Sequence, residues 1–344
     1  MKNKKWRCII FLLSLLIGLS GCRNDSVQKK KFRVGVAYST AGKRDNSYSQ
    51  SASFGVDVAR QTWKFDLNEV EPSQLSDLEP SLAALSRAGC DLVIAVSFYY
   101  VDPIKQVARQ FPNTKYLIID GEVRDLPNVR SLMFREEQGS YLVGAIAGLK
   151  SSKRNIGAVI AMDIPILNKF GAGYQCGARA VGIDPKSIQI LYVGAGPDSF
   201  NDPLKGAEVA RVEITRGSDV IYQVAAASGT GVISAAKDAG IFAIGVDSDQ
   251  ASLAPGTVLT SMLKRVDLAV EDSIEEVING HFVPGLVYRG LQPSGHDYVD
   301  YVYNESNQRL ITPDIRQKVE ALRANIKTGR LIVPQKLGDP CPVP

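Results

Sequence analysis

Histidine is almost missing from this 344-residue chain: only His281 and His296 occur, both in polar surroundings. A zinc site draws on closely spaced His and Cys ligands, and no Cys-x-x-Cys or Cys/His cluster is present, so no metal is expected. Neither histidine lies near a strand end, where the base of a catalytic triad would sit. Cysteine is sparse as well, at Cys8, Cys22, Cys90, Cys176 and Cys341. The last three are odd in number and widely spaced, which argues against a disulfide framework and leaves any single pairing open. GxxxxGK[ST], a GxGxxG after the first strand, and GxSxG are all missing, so neither a bound nucleotide cofactor nor an acyl-transfer nucleophile is expected.

Long apolar runs are also lacking. The stretch Cys8 to Leu19 is about a dozen residues, short of the roughly 20 that a membrane-crossing helix needs. Basic excess is only superficial. The formal net charge is +4, but Lys2, Lys4, Lys5 and Arg7 all precede that stretch, and the remainder is balanced. Nucleic-acid binding rests on a concentrated positive field, so nucleic acid is not an expected partner.

What is present begins with an address. Positive residues, a short apolar core, then Leu19-Ser20-Gly21-Cys22 follow the order of a bacterial export signal. Residues 1–21 are read as the signal and 22–31 as a polar tether. A cysteine directly after Leu-Ser-Gly resembles the acylated first residue of a bacterial lipoprotein. Cys22 would then anchor the protein on the extracytoplasmic side of a membrane; in the plainer alternative the segment is an ordinary secretory peptide.

Beyond the tether, apolar runs of strand length alternate with segments of helical periodicity: strands near 32–38, 65–70, 91–96, 115–120 and 129–134, then 156–161, 187–192, 220–224 and 242–246. Two successive blocks of this kind predict two parallel-sheet α/β lobes. The reading places 32–134 plus about 260–285 in an N-terminal lobe and 135–259 plus about 286–334 in a C-terminal lobe. Val287 to Gly290 and Tyr298 to Tyr303 alternate like antiparallel strands, and the proline-rich 335–344 is read as a flexible tail.

Ligands of open parallel sheets bind beyond the carboxyl ends of the strands. Those ends carry Ser39, Thr40, Asp45, Asn46 and Tyr48, then Asp120, Tyr222, Gly229 and Gly231, and finally Asp247 and Lys264. One aspartate in such a place is most simply a helix or turn cap. Asp120 and Asp247 at corresponding ends, with tyrosines and a lysine nearby, point instead to a site between lobes for a polyhydroxylated ligand. A hydrolase using the two carboxylates is the alternative from another class.

The stretches Asp45-Asn46-Ser47-Tyr48-Ser49, Phe134 to Gly144, Phe200 to Gly206, Tyr222 to Ala225, Ile244 to Gln250 and Leu259 to Arg265, in this order, resemble the basic membrane protein family of ABC-transporter substrate-binding lipoproteins, which includes the purine nucleoside receptor A proteins. The resemblance implies a type I periplasmic-binding fold, two Rossmann-like lobes joined by crossover strands, acting as a monomer with a membrane permease. It implies a nucleoside between Tyr48 and Tyr222, with Asp120 on the base edge, Asp247 and Lys264 on the ribose, and Gly229 and Gly231 allowing close approach. Tyrosine stands where the family usually has phenylalanine. A sugar receptor on the same fold would use the same polar groups.

Overall fold

A computed structural model describes residues 31–342; the export-signal reading and Cys22 fall outside them. Two six-stranded sheets form the frame. In the first, the order is β11 (Gly285–Arg289), β5 (Val129–Phe134), β4 (Lys115–Ile119), β3 (Leu92–Val96), β1 (Arg33–Ala37) and β2 (Asp66–Val70), all neighbours parallel. In the second it is β12 (Val299–Tyr301), β10 (Val258–Lys264), β9 (Phe242–Asp247), β8 (Val220–Val224), β6 (Ile156–Met162) and β7 (Ile188–Gly194), with only the β12 edge antiparallel.

Central strands such as β3 and β6 are apolar at nearly every position because helices cover both faces, and all their residues are buried. Helix α1 (Tyr48–Trp63) follows β1 and packs on α8 (Val266–Ile278); α4 (Glu136–Lys150) and α5 (Pro165–Ala180) lie together on the second lobe. Among the described residues no helix is long and apolar enough to cross a membrane.

The chain changes lobe three times: at Arg135 between β5 and α4, at Arg265 between β10 and α8, and between β11 and β12. This corrects the expected boundaries. All of β10 belongs to the second sheet, and β11 is a parallel member of the first rather than an antiparallel strand. Hydrophobic period identifies a strand but not its partner sheet, so the last crossovers were displaced by several residues.

The tail is also corrected. Cys341 is bonded to Cys176 on α5, across a sequence separation of 165 residues, and Gln335 Nε2 donates to Glu137 Oε1 at 3.0 Å. Proline content suggests an unstructured segment, but one covalent link and one half-buried hydrogen bond hold it against α4 and α5.

Candidate ligand-binding site between the lobes

The carboxyl ends of both sheets face one cavity. Its walls include Ser39 and Thr40 after β1, Ser97, Phe98 and Tyr99 after β3, Asp120 after β4, Ala225 and Ala226 after β8, Asp247 at the end of β9 and Lys264 at the end of β10. Tyr48 on α1, Phe170 on α5 and Phe200 complete it. The space between these walls is about 710 Å³, open solvent at its mouth included.

Asp120 and Asp247 terminate corresponding strands of the two sheets, and both have φ of 66°. A non-glycine residue in this left-handed region costs about 1–3 kcal/mol, so each is held by its surroundings. Lys264 lies between the lobes, with Nζ 2.5 Å from Asp120 Oδ2 and 2.9 Å from Glu136 Oε1. The same ammonium lies 5.1 Å from the Tyr48 ring centroid and 5.6 Å from that of Phe170. Behind it, Lys169 Nζ reaches Glu136 Oε2 at 3.1 Å and donates to the Phe134 carbonyl at 3.0 Å. Four charges thus run inward from the cavity as Asp120, Lys264, Glu136 and Lys169, all of them buried.

Electrostatics follow from that order. Burial pushes the Asp120 carboxyl up, against the pull of Lys264 and with the push of Glu136. Burial acts on Glu136 in the same sense, but Lys264 and Lys169 together win and hold it below the usual carboxylate range. Burial alone would lower Lys264; Asp120, Glu136 and Asp247 outweigh it and hold the ammonium above the usual lysine range. Asp247 has less help, since Lys264 is engaged elsewhere and its own donor is Ser47 Oγ, so burial lifts it to about 7. Asp120 Oδ1 is buried without a protein partner, which leaves an acceptor at the cavity wall.

Of the residues expected from sequence, Ser39, Thr40, Asp45, Tyr48, Asp120, Asp247 and Lys264 meet in this cavity. Asp45 is committed to the fold: its carboxylate accepts from the N–H groups of Ser47, Ser49 and Gln50 and fixes the start of α1. Tyr222 is a correction. Its side chain is fully buried under the second sheet, pairs with the Tyr174 ring at 5.2 Å and shares a hydrogen bond with Ser140, because a strand's alternate residues face opposite sides and this one faces α4 and α5. Gly229 and Gly231 are also away from the cavity; a Cβ on Gly229 would overlap Gln223 Oε1, and one on Gly231 the Pro203 carbonyl. Asn46 lies outside the lining too, with its carbonyl engaged by the other lobe.

Sequence reasoning missed four aromatic wall residues. Phe98 and Tyr99 directly follow β3, where the strand-end rule already pointed, and Phe200 opens the Phe-Asn-Asp-Pro stretch. Phe170 and the charges of Glu136 and Lys169 sit on helices, where no local signal separates them from ordinary helix positions.

The family model for ABC transporter substrate-binding proteins of the PnrA-like type, Bmp, matches residues 32–336. The ABC transporter nucleoside-binding protein BmpA of Lactococcus lactis subsp. cremoris is 27% identical over 368 residues, covering 98% of this chain and 100% of that one. An uncharacterized lipoprotein of Pyrococcus horikoshii is 31% identical over 366 residues, covering 94% and 89%. A solved solute-binding protein of an ABC transporter system from Aeropyrum pernix K1 superposes with a TM-score of 0.79 at 29% identity, covering 89% of this chain and 94% of that one. The two lobes are those of the type I periplasmic-binding fold, and the chain belongs to the Bmp family of ABC transporter substrate-binding proteins.

Proposed function

We propose that this protein captures a purine nucleoside between its lobes and delivers it to a membrane permease, from a lipid anchor at Cys22. The observation that carries the reading is the composition of the cavity wall: aromatic rings from both lobes, Tyr48 and Phe98 on one side and Phe170 and Phe200 on the other, beside Asp120, Asp247 and Lys264. Flat rings suit a flat base, and each stacked base contributes about 1–3 kcal/mol. Ser39 and Thr40 supply hydroxyls for the base edge, Asp120 Oδ1 a free acceptor, and the Asp247 carboxyl and the Lys264 ammonium two polar groups for ribose hydroxyls. Such charge-assisted hydrogen bonds are roughly twice as strong as neutral ones. The relative named for nucleoside binding, similar along its whole length, supports the same ligand class. Acyl chains on Cys22 would each hold to a membrane at about 0.8 kcal/mol per buried methylene.

A sugar receptor would use the carboxylates and lysine equally well. The aromatic walls favour the nucleoside. Isothermal titration with adenosine, guanosine, inosine, ribose and galactose separates the two. Micromolar or tighter binding of purine nucleosides, about −8 kcal/mol or better, is expected. Silence of all three nucleosides up to roughly millimolar, with ribose or galactose bound, would replace the proposal with the sugar reading.

A further inference from the structure

One tripeptide, Asp45-Asn46-Ser47, reaches from the first lobe to the second, and its middle residue Asn46 lies outside the cavity lining. Asn46 has φ of 55°, and its backbone carbonyl accepts from Gln250 Nε2 at 2.9 Å and from Ser248 Oγ at 3.3 Å. Short polar Asn, after glycine, is among the residues that tolerate this left-handed conformation best. The Asp45 carboxylate, bonded to three backbone N–H groups downstream, holds the turn in place.

On the other side, Gln250 is 2% exposed and outside the cavity lining. Its Oε1 accepts from the Val246 N–H at 3.1 Å and from Gln223 Nε2 at 2.6 Å. A backbone N–H cannot accept, so this contact fixes which end of the amide is oxygen, and the amino end must face Asn46. Gln223 is fully buried and in turn accepts from the N–H of Ala225, a cavity-wall residue. Gly229 and Gly245 leave the space: a Cβ at Gly229 would meet Gln223 Oε1 at 1.8 Å, and one at Gly245 would meet Gln250 Oε1 at 2.6 Å. A rigid relay therefore runs from the cavity wall through Gln223 and Gln250 to the opposite lobe.

We infer that Gln250 is a positioning residue, an interlobe latch that stabilises the closed arrangement and so sets ligand affinity without touching the ligand. Its bond to Asn46 can exist only when the lobes are together. Apparent affinity scales with the population of the closed, binding-competent state, and one net neutral hydrogen bond corresponds to about tenfold at most. The effect on affinity rests on the nucleoside reading, while the latch itself does not.

The test uses Gln250→Glu at pH 9, where the ionised carboxylate keeps both acceptor contacts and has no donor, and Gln250→Met, which removes all polarity at similar size. Spin labels on exposed Gln106 of the first lobe and Lys237 of the second report lobe separation by pulsed electron resonance, with and without inosine. Both variants should show a larger long-distance population than the parent without ligand. Their inosine affinity should fall by up to about tenfold through faster dissociation. Superimposable distance distributions for parent and both variants would overturn the latch. So would weaker binding accompanied by an equal loss of stability and no change in separation. If the parent ignores inosine, adenosine and guanosine alike, the nucleoside reading fails, and the ligand-free distances still decide the latch.

Discussion

Replacing Lys264 by methionine tests the charge arrangement of the cleft directly. Methionine keeps most of the side-chain length, so the loss is chiefly one positive charge. Lys264 is 2% exposed and holds Asp120 at 2.5 Å and Glu136 at 2.9 Å, both carboxylates being buried as well. Breaking a buried pair by removing one partner costs about 3–5 kcal/mol, because a charge is left uncompensated. Lys169 still neutralises Glu136, so the larger share of the penalty falls on Asp120.

The penalty has a pH signature. In the parent, the folded-state value of Lys264 lies above the usual lysine range, so its contribution is complete throughout the acid and neutral range and is lost only above about 10.5. Glu136 is lowered, so its share is present above its ordinary value and fades as pH falls below about 4.5. In the variant, Asp120 loses the cation that opposes its burial and titrates higher. Its protonated form tolerates the site, and the variant's stability declines as pH rises through that raised value. Urea unfolding followed by far-UV circular dichroism should show a deficit of about 3–5 kcal/mol at pH 8 that is much smaller at pH 4.5. A deficit below about 1 kcal/mol, or one equal at both pH values, would refute the assignment of Lys264 as the counter-charge.

Glu213 is fully buried with neither carboxylate oxygen paired to a side chain, and burial lifts it to about 8. A raised acid stabilises the fold fully below about 4.5 and loses that contribution as pH climbs to 8, by up to about 5 kcal/mol; Glu213→Gln should flatten the fall of melting temperature between pH 5 and pH 9, and parallel curves would contradict this. Cys341→Ser opens a loop of 165 residues and should cost about 2–5 kcal/mol, with reduced parent protein matching the variant in chemical unfolding. Phe200→Ala should weaken inosine binding by about 1–3 kcal/mol in titration calorimetry. Tyr222→Leu, which removes the ring deep beneath the sheet, should lower stability yet leave the affinity of the folded protein within about twofold, and the reverse ranking would restore Tyr222 to the site.

Much of this was legible from local pattern. Continuous apolar runs such as Leu92 to Val96 announced strands covered on both faces, and the polar residues after them led to Asp120, Asp247 and Lys264. What local pattern lacks is partner and direction. Tyr222 and Gln223 are adjacent in one strand, yet one fills the core under α4 and α5 while the other joins the latch to the wall. Only the sheet's packing decides which face is which. Glu136 and Lys169 are ordinary helical residues until the β5 crossover sets them behind Lys264. The bond between Cys176 and Cys341 likewise depends on the tail returning to α5, which sequence spacing does not encode.

On the proposed function, a planar ligand occupies the cleft between aromatic walls of the two lobes. A crystal structure of the protein as purified, or soaked with inosine, reads this most directly. Flat density is expected in contact with Tyr48 and Phe200, its base edge toward Asp120 and its sugar toward Asp247 and Lys264. A non-planar ligand lying clear of those rings, or a cleft that stays empty in inosine-saturated crystals, would contradict it.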